Sequence, residues 1–205
     1  MMGRMLVIQV TLIRLSDRKL STLLAGGIMQ VRKGTIADLK DVLQLEHRLY
    51  PRQWHVSEEF AKEVLTRNED TIRVLDVHGV VKGHYAFLPL EKEIYEKVLH
   101  GEMDEKEVAD YVLDYKKPRN VFLYWTTVMV DIKDPLRAQL AKNLLSDIPY
   151  YLQGLKEKGI RVMEIGGIFI SKQGMRVAQR FDMKQTGTIT YTDGETYPIY
   201  RATSI

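Results

Sequence analysis

Hydrophobic positions along the chain alternate between the two-residue period of strands and the period of three to four residues typical of helices. Strand-like apolar runs are predicted at 29–34, 71–77, 80–88, 120–130 and 160–170. The run at 120–130, NVFLYWTTVMV, is nearly continuously apolar and aromatic, as strands covered on both faces are. This pattern places 120–130 in the middle of a sheet.

Helical spacing fills the intervals between these strands, and capping residues mark where helices begin. Thr35 and Asp38 form a variant of the capping box before the first helix. Asp134 followed by Pro135 predicts an N-cap and a first helical residue, and a long apolar stripe follows them. Further helical segments are predicted at 57–65, 91–117 and 171–181.

The order of strand, long helix and strand predicts how the sheet is connected. A helix between two buried strands makes a right-handed crossover, which leaves those strands parallel and adjacent. His78-Gly79 and Asp193-Gly194 are two-residue turn signals, so a hairpin is expected at each of them. The sequence therefore predicts a mixture of parallel and antiparallel pairing.

Residues 1–28 are expected to be an N-terminal extension or a misassigned start, with the domain covering 29–205. The apolar run at 5–13 has strand character and is far shorter than the ~18 residues of a spanning helix. Charged residues follow it and no small-residue cleavage site is evident, so neither a membrane segment nor a signal peptide is expected.

Composition excludes several classes of function. The net charge of +3 is weak and its basic residues are spread out, so no dedicated nucleic-acid surface is expected. The chain has no cysteine, which rules out disulfides, thiol catalysis and thiolate metal sites and is compatible with a cytoplasmic protein. The histidines lack ligand spacing, so no metal site is predicted.

Three segments resemble the GNAT superfamily of N-acetyltransferases, namely VRKGTIADLKDVLQLE with YPRQW, VMV leading into 131–145, and SKQGMRVAQRFDMKQTG. The resemblance covers about 29–203 and implies an α/β fold. Its sheet is mixed and mainly antiparallel, with helices on both faces and a splayed parallel pair of central strands that holds acetyl-CoA. The implied reaction is acetyl transfer to a primary amine by direct attack in a ternary complex.

The cofactor loop of the superfamily is only partly matched. The motif Arg/Gln-x-x-Gly-x-Gly/Ala places bare amides at a helix N-terminus against pyrophosphate. Here only Ala141 fits, Arg137 stands one place off, and Asp134 offers the alternative of a loop that simply caps its own helix. The positions that the resemblance implies for acetyl-CoA binding are Val128, Met129, Val130, Lys133, Arg137, Ala138, Gln139, Leu140, Ala141 and Ser171.

Catalytic groups are less clearly indicated. Ala178 occupies the place where many superfamily members carry a tyrosine acid, which favours the alternative of a non-catalytic binding or regulatory module. Glu164 and Glu46 are candidate general bases, because a carboxylate in an apolar pattern needs a partner or a purpose. A structural hydrogen bond is the competing explanation for each.

The helical insert at about 91–117 is expected to cover the substrate side of the cleft, together with the loop LYPRQW. A solvated pair of surface helices is the alternative for this insert. The acceptor is expected to be a small-molecule or peptide amine, and assembly as a homodimer stays open.

Overall fold

The computed structural model describes residues 29–191 and 194–203. Seven strands form one mixed sheet in the order β1-β2-β3-β4-β5-β7-β6, in which only β4 and β5 are parallel. The predicted fold class is confirmed. The strand predicted at 5–13 and the turn residue Asp193 lie outside the described residues. The strands are β1 Met29–Lys33, β2 Ile72–Val77, β3 Val80–Leu90, β4 Arg119–Val130, β5 Ile160–Ile168, β6 Lys184–Thr190 and β7 Thr196–Ala202.

Five α-helices in the described part of the chain pack on the two faces of this sheet. One face is covered mainly by the long helix, and the insert covers part of the other. None of these helices is both long enough and apolar enough to cross a membrane. The helices are α1 Leu39–Leu49, α2 Glu58–Arg67, α3 Lys92–Leu99, α4 Arg137–Glu157 and α5 Lys172–Arg180.

Most predicted helix starts and turns are confirmed. The capping box of Thr35 and Asp38 forms, although it opens a 3₁₀ turn that leads into α1. Ser57 accepts a hydrogen bond from the amide of Phe60 at the start of α2. His78 has a φ of 56°, as the predicted tight turn between β2 and β3 requires.

The start of α4 differs from the prediction. The helix begins at Arg137 rather than Pro135, and Leu136 is the residue that precedes it. The Asp134 carboxylate accepts a hydrogen bond from the Leu136 amide at 2.9 Å, and its carbonyl accepts one from the Arg137 amide at 3.0 Å. Asp134 therefore closes a turn ahead of the helix instead of capping the helix itself.

A β-bulge in β4 separates the two halves of the central strand. Ala86 and Phe87 of β3 are consecutive, yet they face Thr127 and Trp125, so Thr126 is the extra residue. The bulge changes which alternate side chains of β4 face the core beneath α4. Before the bulge these side chains are Val121, Leu123 and Trp125. Bulges re-aim side chains and commonly lie beside active sites.

The parallel pair β4 and β5 separates just before this bulge. The two strands pair from Arg119 and Ile160 as far as Tyr124 and Gly166. At Gly167 an added Cβ would lie 2.7 Å from the Trp125 carbonyl oxygen, so the backbones approach closely only because the side chain is absent. Beyond this point the two strands are no longer paired, and a gap lies between them.

Candidate active site

The gap between β4 and β5 opens into a cleft of about 700 Å³. Its walls come from β4, the end of β5, the segment before α5, the tip of β6 and the insert after α3. Tyr50 and Trp54 of the predicted LYPRQW loop also face it. A strand gap of this kind can hold an extended ligand arm, while the insert supplies polar side chains at one end.

Glu105 is the carboxylate best placed to exchange a proton in the cleft. It begins a 3₁₀ segment, Glu105–Tyr111, whose preceding residue Asp104 accepts a hydrogen bond from the Lys106 amide at 2.9 Å. The Tyr124 hydroxyl donates to Glu105 at 3.0 Å. Burial raises the pKa of Glu105 to about 7, the charges of Glu46 and Asp104 act in the same direction, and the Tyr124 bond opposes them.

The bulge directs hydroxyl and indole groups toward the same region. Thr126 and Thr127 both line the cleft, and the Tyr50 hydroxyl lies 3.4 Å from Oγ1 of Thr127. The indole N–H of Trp125 donates to the Thr127 carbonyl at 2.9 Å, which stabilises the bulged turn of the strand. The bulge thus fixes a polar patch beside Glu105.

A smaller side pocket of about 70 Å³ adjoins the cleft. Glu46 and His84 line it, and Nε2 of His84 lies 3.0 Å from Oε1 of Glu46. His84 is only 1% exposed, and its Nδ1 atom has no hydrogen-bond partner among the described residues. The pocket and the cleft share Tyr50, Trp54 and Glu105 on their walls, so the side pocket is a branch of the cleft.

Solved structures of similar fold identify this architecture. The chain is 13% identical to the loading GNATL domain of CurA from Lyngbya majuscula, with a TM-score of 0.62 over 86% of this chain and 98% of that one. It is 15% identical to the ribosomal-protein-S18-alanine N-acetyltransferase from Escherichia coli, with a TM-score of 0.53 over 86% of this chain and 94% of that one. The chain has the GNAT fold.

A third structure shows that this fold serves more than one reaction. The GphF GNAT-like decarboxylase, solved in complex with isobutyryl-CoA, is 14% identical with a TM-score of 0.59 over 85% of this chain and 98% of that one. No protein-family model and no curated protein sequence matches the chain. The GNAT fold is therefore shown, and the reaction has to be argued from the site.

Two of the residues predicted to bind acetyl-CoA lie on the cleft of this GNAT fold. Val128 lines it after the bulge, and Ser171 lines it from the start of α5, where its hydroxyl accepts a hydrogen bond from the Gly174 amide at 3.0 Å. Met129 is buried and Val130 pairs with Gly83 of β3. Val128 pairs with Tyr85 of β3, so the backbone contact of Val128, Met129 and Val130 with pantetheine stays a prediction.

The predicted pyrophosphate residues lie at the start of α4, away from the walls of the 700 Å³ cleft. Lys133 and four residues around the helix start are exposed or half-buried, whereas Leu140 is in the core. The amides of Arg137, Gln139 and Leu140 donate to carbonyls of the preceding turn. The five exposed or half-buried residues of the predicted cofactor loop therefore lie near one another at the start of α4. They are Lys133, Arg137, Ala138, Gln139 and Ala141.

Lys82 reduces the electrostatic conflict in this loop. Its Nζ lies 3.1 Å from the carboxylate of Asp134 and 3.7 Å from that of Asp131. The Leu136 amide and Lys82 hold the pKa of Asp134 below its usual range. The Lys82 ammonium contacts both aspartates and offsets the negative charge of the loop, so the loop repels an approaching phosphate less than its sequence indicates.

Glu164, one of the two predicted bases, lies in an ion-pair network and not on the cleft wall. Arg201 Nη1 lies 3.1 Å from its carboxylate, and the Tyr95 hydroxyl donates to it at 2.8 Å. Arg201 also contacts Glu96 of α3 at 2.8 Å. The competing structural explanation fits Glu164, because Arg201 and Tyr95 both donate hydrogen bonds to its carboxylate.

The second predicted base, Glu46, is brought next to the cleft, but as the partner of His84 in the side pocket. Ala178 is 0% exposed in the core beneath α4, so that position offers no proton donor to the cleft. No group of three potential metal ligands is found within 29–191 and 194–203. The sequence does not single out Glu105, because Glu105 lies in the charged run DEKE at 104–107 and such a run predicts a solvated surface.

Proposed function

We propose that the protein transfers an acetyl group from acetyl-CoA to a primary amine by direct attack within a ternary complex. The observation that carries this proposal is Glu105, a carboxylate of raised pKa at the edge of the cleft between diverging strands. GNAT-fold proteins include N-acetyltransferases. Another protein of this fold, the GphF GNAT-like decarboxylase, is solved with isobutyryl-CoA. Both findings support an acyl-CoA in the cleft of this chain.

A base with a pKa of about 7 suits this reaction at neutral pH. Aliphatic amines resemble lysine, with a pKa near ~10.4, so the acceptor arrives protonated and has to lose a proton to become a nucleophile. An ordinary glutamate is too weak a base for this step. Burial of Glu105 raises its basicity while leaving a large ionised fraction at pH 7 and above.

The chemistry balances without the tyrosine that Ala178 replaces. The nitrogen lone pair attacks the thioester carbonyl carbon, a C–N bond forms, and the C–S bond breaks to release coenzyme A as a thiolate. Glu105 takes one proton from the arriving ammonium before the attack, and the second proton leaves the nitrogen for solvent water as the amide forms. Free thiols have a pKa near ~8.5, so the thiolate leaves and takes a proton from water at modest cost.

The test compares two glutamates of the same 3₁₀ segment. Glu105→Gln should lower coenzyme A release with a panel of amines by about 10²–10⁴-fold and abolish the rise in rate with pH near 7. Glu107→Gln is the control, because Glu107 is exposed. Unchanged turnover in Glu105→Gln would refute this role for Glu105.

A non-catalytic GNAT-like module is the second candidate. The buried Ala178 and the absence of glycine from Leu136 to Ala141 favour it, because both usual aids to the reaction are missing. Calorimetry with acetyl-CoA, followed by the same amine panel, separates the two functions. Tight binding without coenzyme A release from any amine would establish the binding module in place of the enzyme.

A further inference from the structure

We propose that the acceptor is a short aliphatic diamine or polyamine, whose distal ammonium binds in the side pocket at the Glu46 carboxylate. The inference rests on the proposed function and names the substrate class for that site. The reacting nitrogen lies at Glu105, and a methylene chain connects it to the distal ammonium. The side pocket thereby becomes the place where the acceptor is recognised.

The end of the side pocket presents hydrogen-bond acceptors with few donors to match them. Glu46 is 7% exposed and carries one carboxylate oxygen bonded to His84 Nε2, which makes that nitrogen the protonated one. Nδ1 of His84 has no hydrogen-bond partner among the described residues. A buried polar atom without a partner costs about 1–3 kcal/mol, so a ligand group that reaches it is favoured.

An ammonium group fits this set of acceptors. It is a compact cation with three donors and no acceptor. The Glu46 carboxylate supplies charge and a second oxygen beside the one that His84 contacts, and Thr127 and Tyr50 line the same pocket with their hydroxyl-bearing side chains. A neutral hydroxyl group in the same place would form hydrogen bonds but would leave the Glu46 charge unbalanced.

Most of the other residues that line the side pocket are apolar, and its volume is small. Leu43, Ala61, Val64 and Ile72 surround the pocket, whose volume of about 70 Å³ is roughly half of the ~150 Å³ that admits a benzene ring. A methylene chain fits such a channel, whereas an aromatic side chain does not. These dimensions favour an aliphatic acceptor over an aromatic amine.

The two carboxylates are near enough to influence each other. Glu46 is among the charges that raise the pKa of Glu105. A distal ammonium bound at Glu46 would cancel that influence, so the arriving diamine would help to ionise the base that deprotonates its other end. Tyr50 and Trp54 stand where the cavities join, and aromatic faces also attract cations.

The test uses two amines that differ only at the distal end, 1,4-diaminobutane and butylamine. Coenzyme A release should give a kcat/KM at least about tenfold higher for the diamine, since a charge-assisted contact is lost with butylamine. Glu46→Gln should reduce this ratio toward one. Asp41→Asn is the matched control, because Asp41 is an exposed acid on the same helix.

Val56→Phe is a second variant that tests the ratio of kcat/KM for the diamine to kcat/KM for butylamine. Val56 is half-buried in the loop before α2 and lines both cavities, so a larger side chain narrows their junction without replacing a buried charge. The diamine preference should fall here as well. This variant keeps the inference testable if Glu46→Gln does not fold.

The outcomes separate this inference from the proposed function. Equal kcat/KM for the two amines in the parent protein, or a preference that survives both Glu46→Gln and Val56→Phe, overturns the diamine assignment and leaves acetyl transfer standing. No coenzyme A release with any amine overturns the proposed function, and the diamine assignment with it. A preference lost in both variants and kept in Asp41→Asn supports the assignment.

Discussion

Two regions of the molecule hold a carboxylate against a tyrosine, and they differ in one neighbour. Glu105 accepts a hydrogen bond from Tyr124 at 3.0 Å, and Glu164 accepts one from Tyr95 at 2.8 Å. Arg201 lies 3.1 Å from Glu164, whereas the neighbouring cation Lys106 lowers the pKa of Glu105 less than burial raises it. The same two side-chain types therefore form an ion-pair network in one place and a candidate base in the other.

The difference teaches what an arginine does to a buried carboxylate. Its charge and its fork of donors engage the carboxylate in charge-assisted hydrogen bonds, so Glu164 serves as a structural partner of Arg201. Without that charge, burial disfavours ionisation and the pKa of Glu105 rises to about 7. The Arg201 network also joins α3 to the sheet, which helps to hold the insert that carries Glu105.

Removal of Arg201 is the most severe way to break this contrast. Arg201→Leu leaves Glu96 and Glu164 without their cation, and breaking a largely buried pair of this kind costs about 3–5 kcal/mol. Urea unfolding should show that loss in the free energy of unfolding. Arg67→Leu is the control, because Arg67 pairs with Glu63 and Asp110 at the exposed surface.

Exposed pairs contribute about 0–1 kcal/mol, so the Arg67 variant should stay close to the parent. If Arg201→Leu were no more destabilising than Arg67→Leu, the network would not hold the insert. The structural role given to Glu164 would then fail as well.

The pH dependence of stability distinguishes the two glutamates next. Glu105 has a folded pKa of about 7, raised from 4.5, so its charge destabilises the folded protein increasingly from pH 4.5 to 7, and fully above 7. Glu105→Gln should therefore raise the free energy of unfolding at pH 8, by up to about 3 kcal/mol, and have little effect at pH 4.

Glu164→Gln should act in the opposite direction at pH 8. It removes one acceptor from Arg201 and weakens a charge-assisted contact, which costs about 1–3 kcal/mol. Urea titrations of both variants at pH 4 and 8 check the two signs together. A destabilised Glu105→Gln at pH 8 would contradict the difference drawn between these sites.

Much of the fold is readable from the sequence because its signals are local and repeated. The apolar run of β4, the capping serine at Ser57 and the turn at His78 each act through neighbours in the chain. The crossover then follows from chain handedness. The start of α4 was missed by two residues, because Pro135 also suits a turn and Lys82, distant in sequence, holds Asp134 there.

The candidate site was less predictable, because its chemistry depends on contacts between distant residues. Glu164 stands in an apolar run and attracts attention, yet Arg201 from β7 partners it. Glu105 stands in a charged run, and its pKa is raised mainly because residues of other elements bury it, with the charge of Glu46 acting in the same direction. Whether a carboxylate is paired cannot be read from its own segment.

The smallest change removes only the tyrosine hydroxyl from each region. The Tyr124 bond lowers the pKa of Glu105, so Tyr124→Phe should move the rise of rate with pH toward higher pH and reduce turnover a few-fold at pH 7. Tyr95→Phe should cost about 1 kcal/mol of stability and leave the pH profile in place, since Arg201 still holds Glu164. Rate–pH profiles of coenzyme A release measure the shift in pH dependence for both variants, and urea unfolding measures their loss of stability. A pH profile that moves in Tyr95→Phe but not in Tyr124→Phe would exchange the roles of the two glutamates. The pH profile responds only when the glutamate that takes the proton loses the tyrosine that donates a hydrogen bond to it.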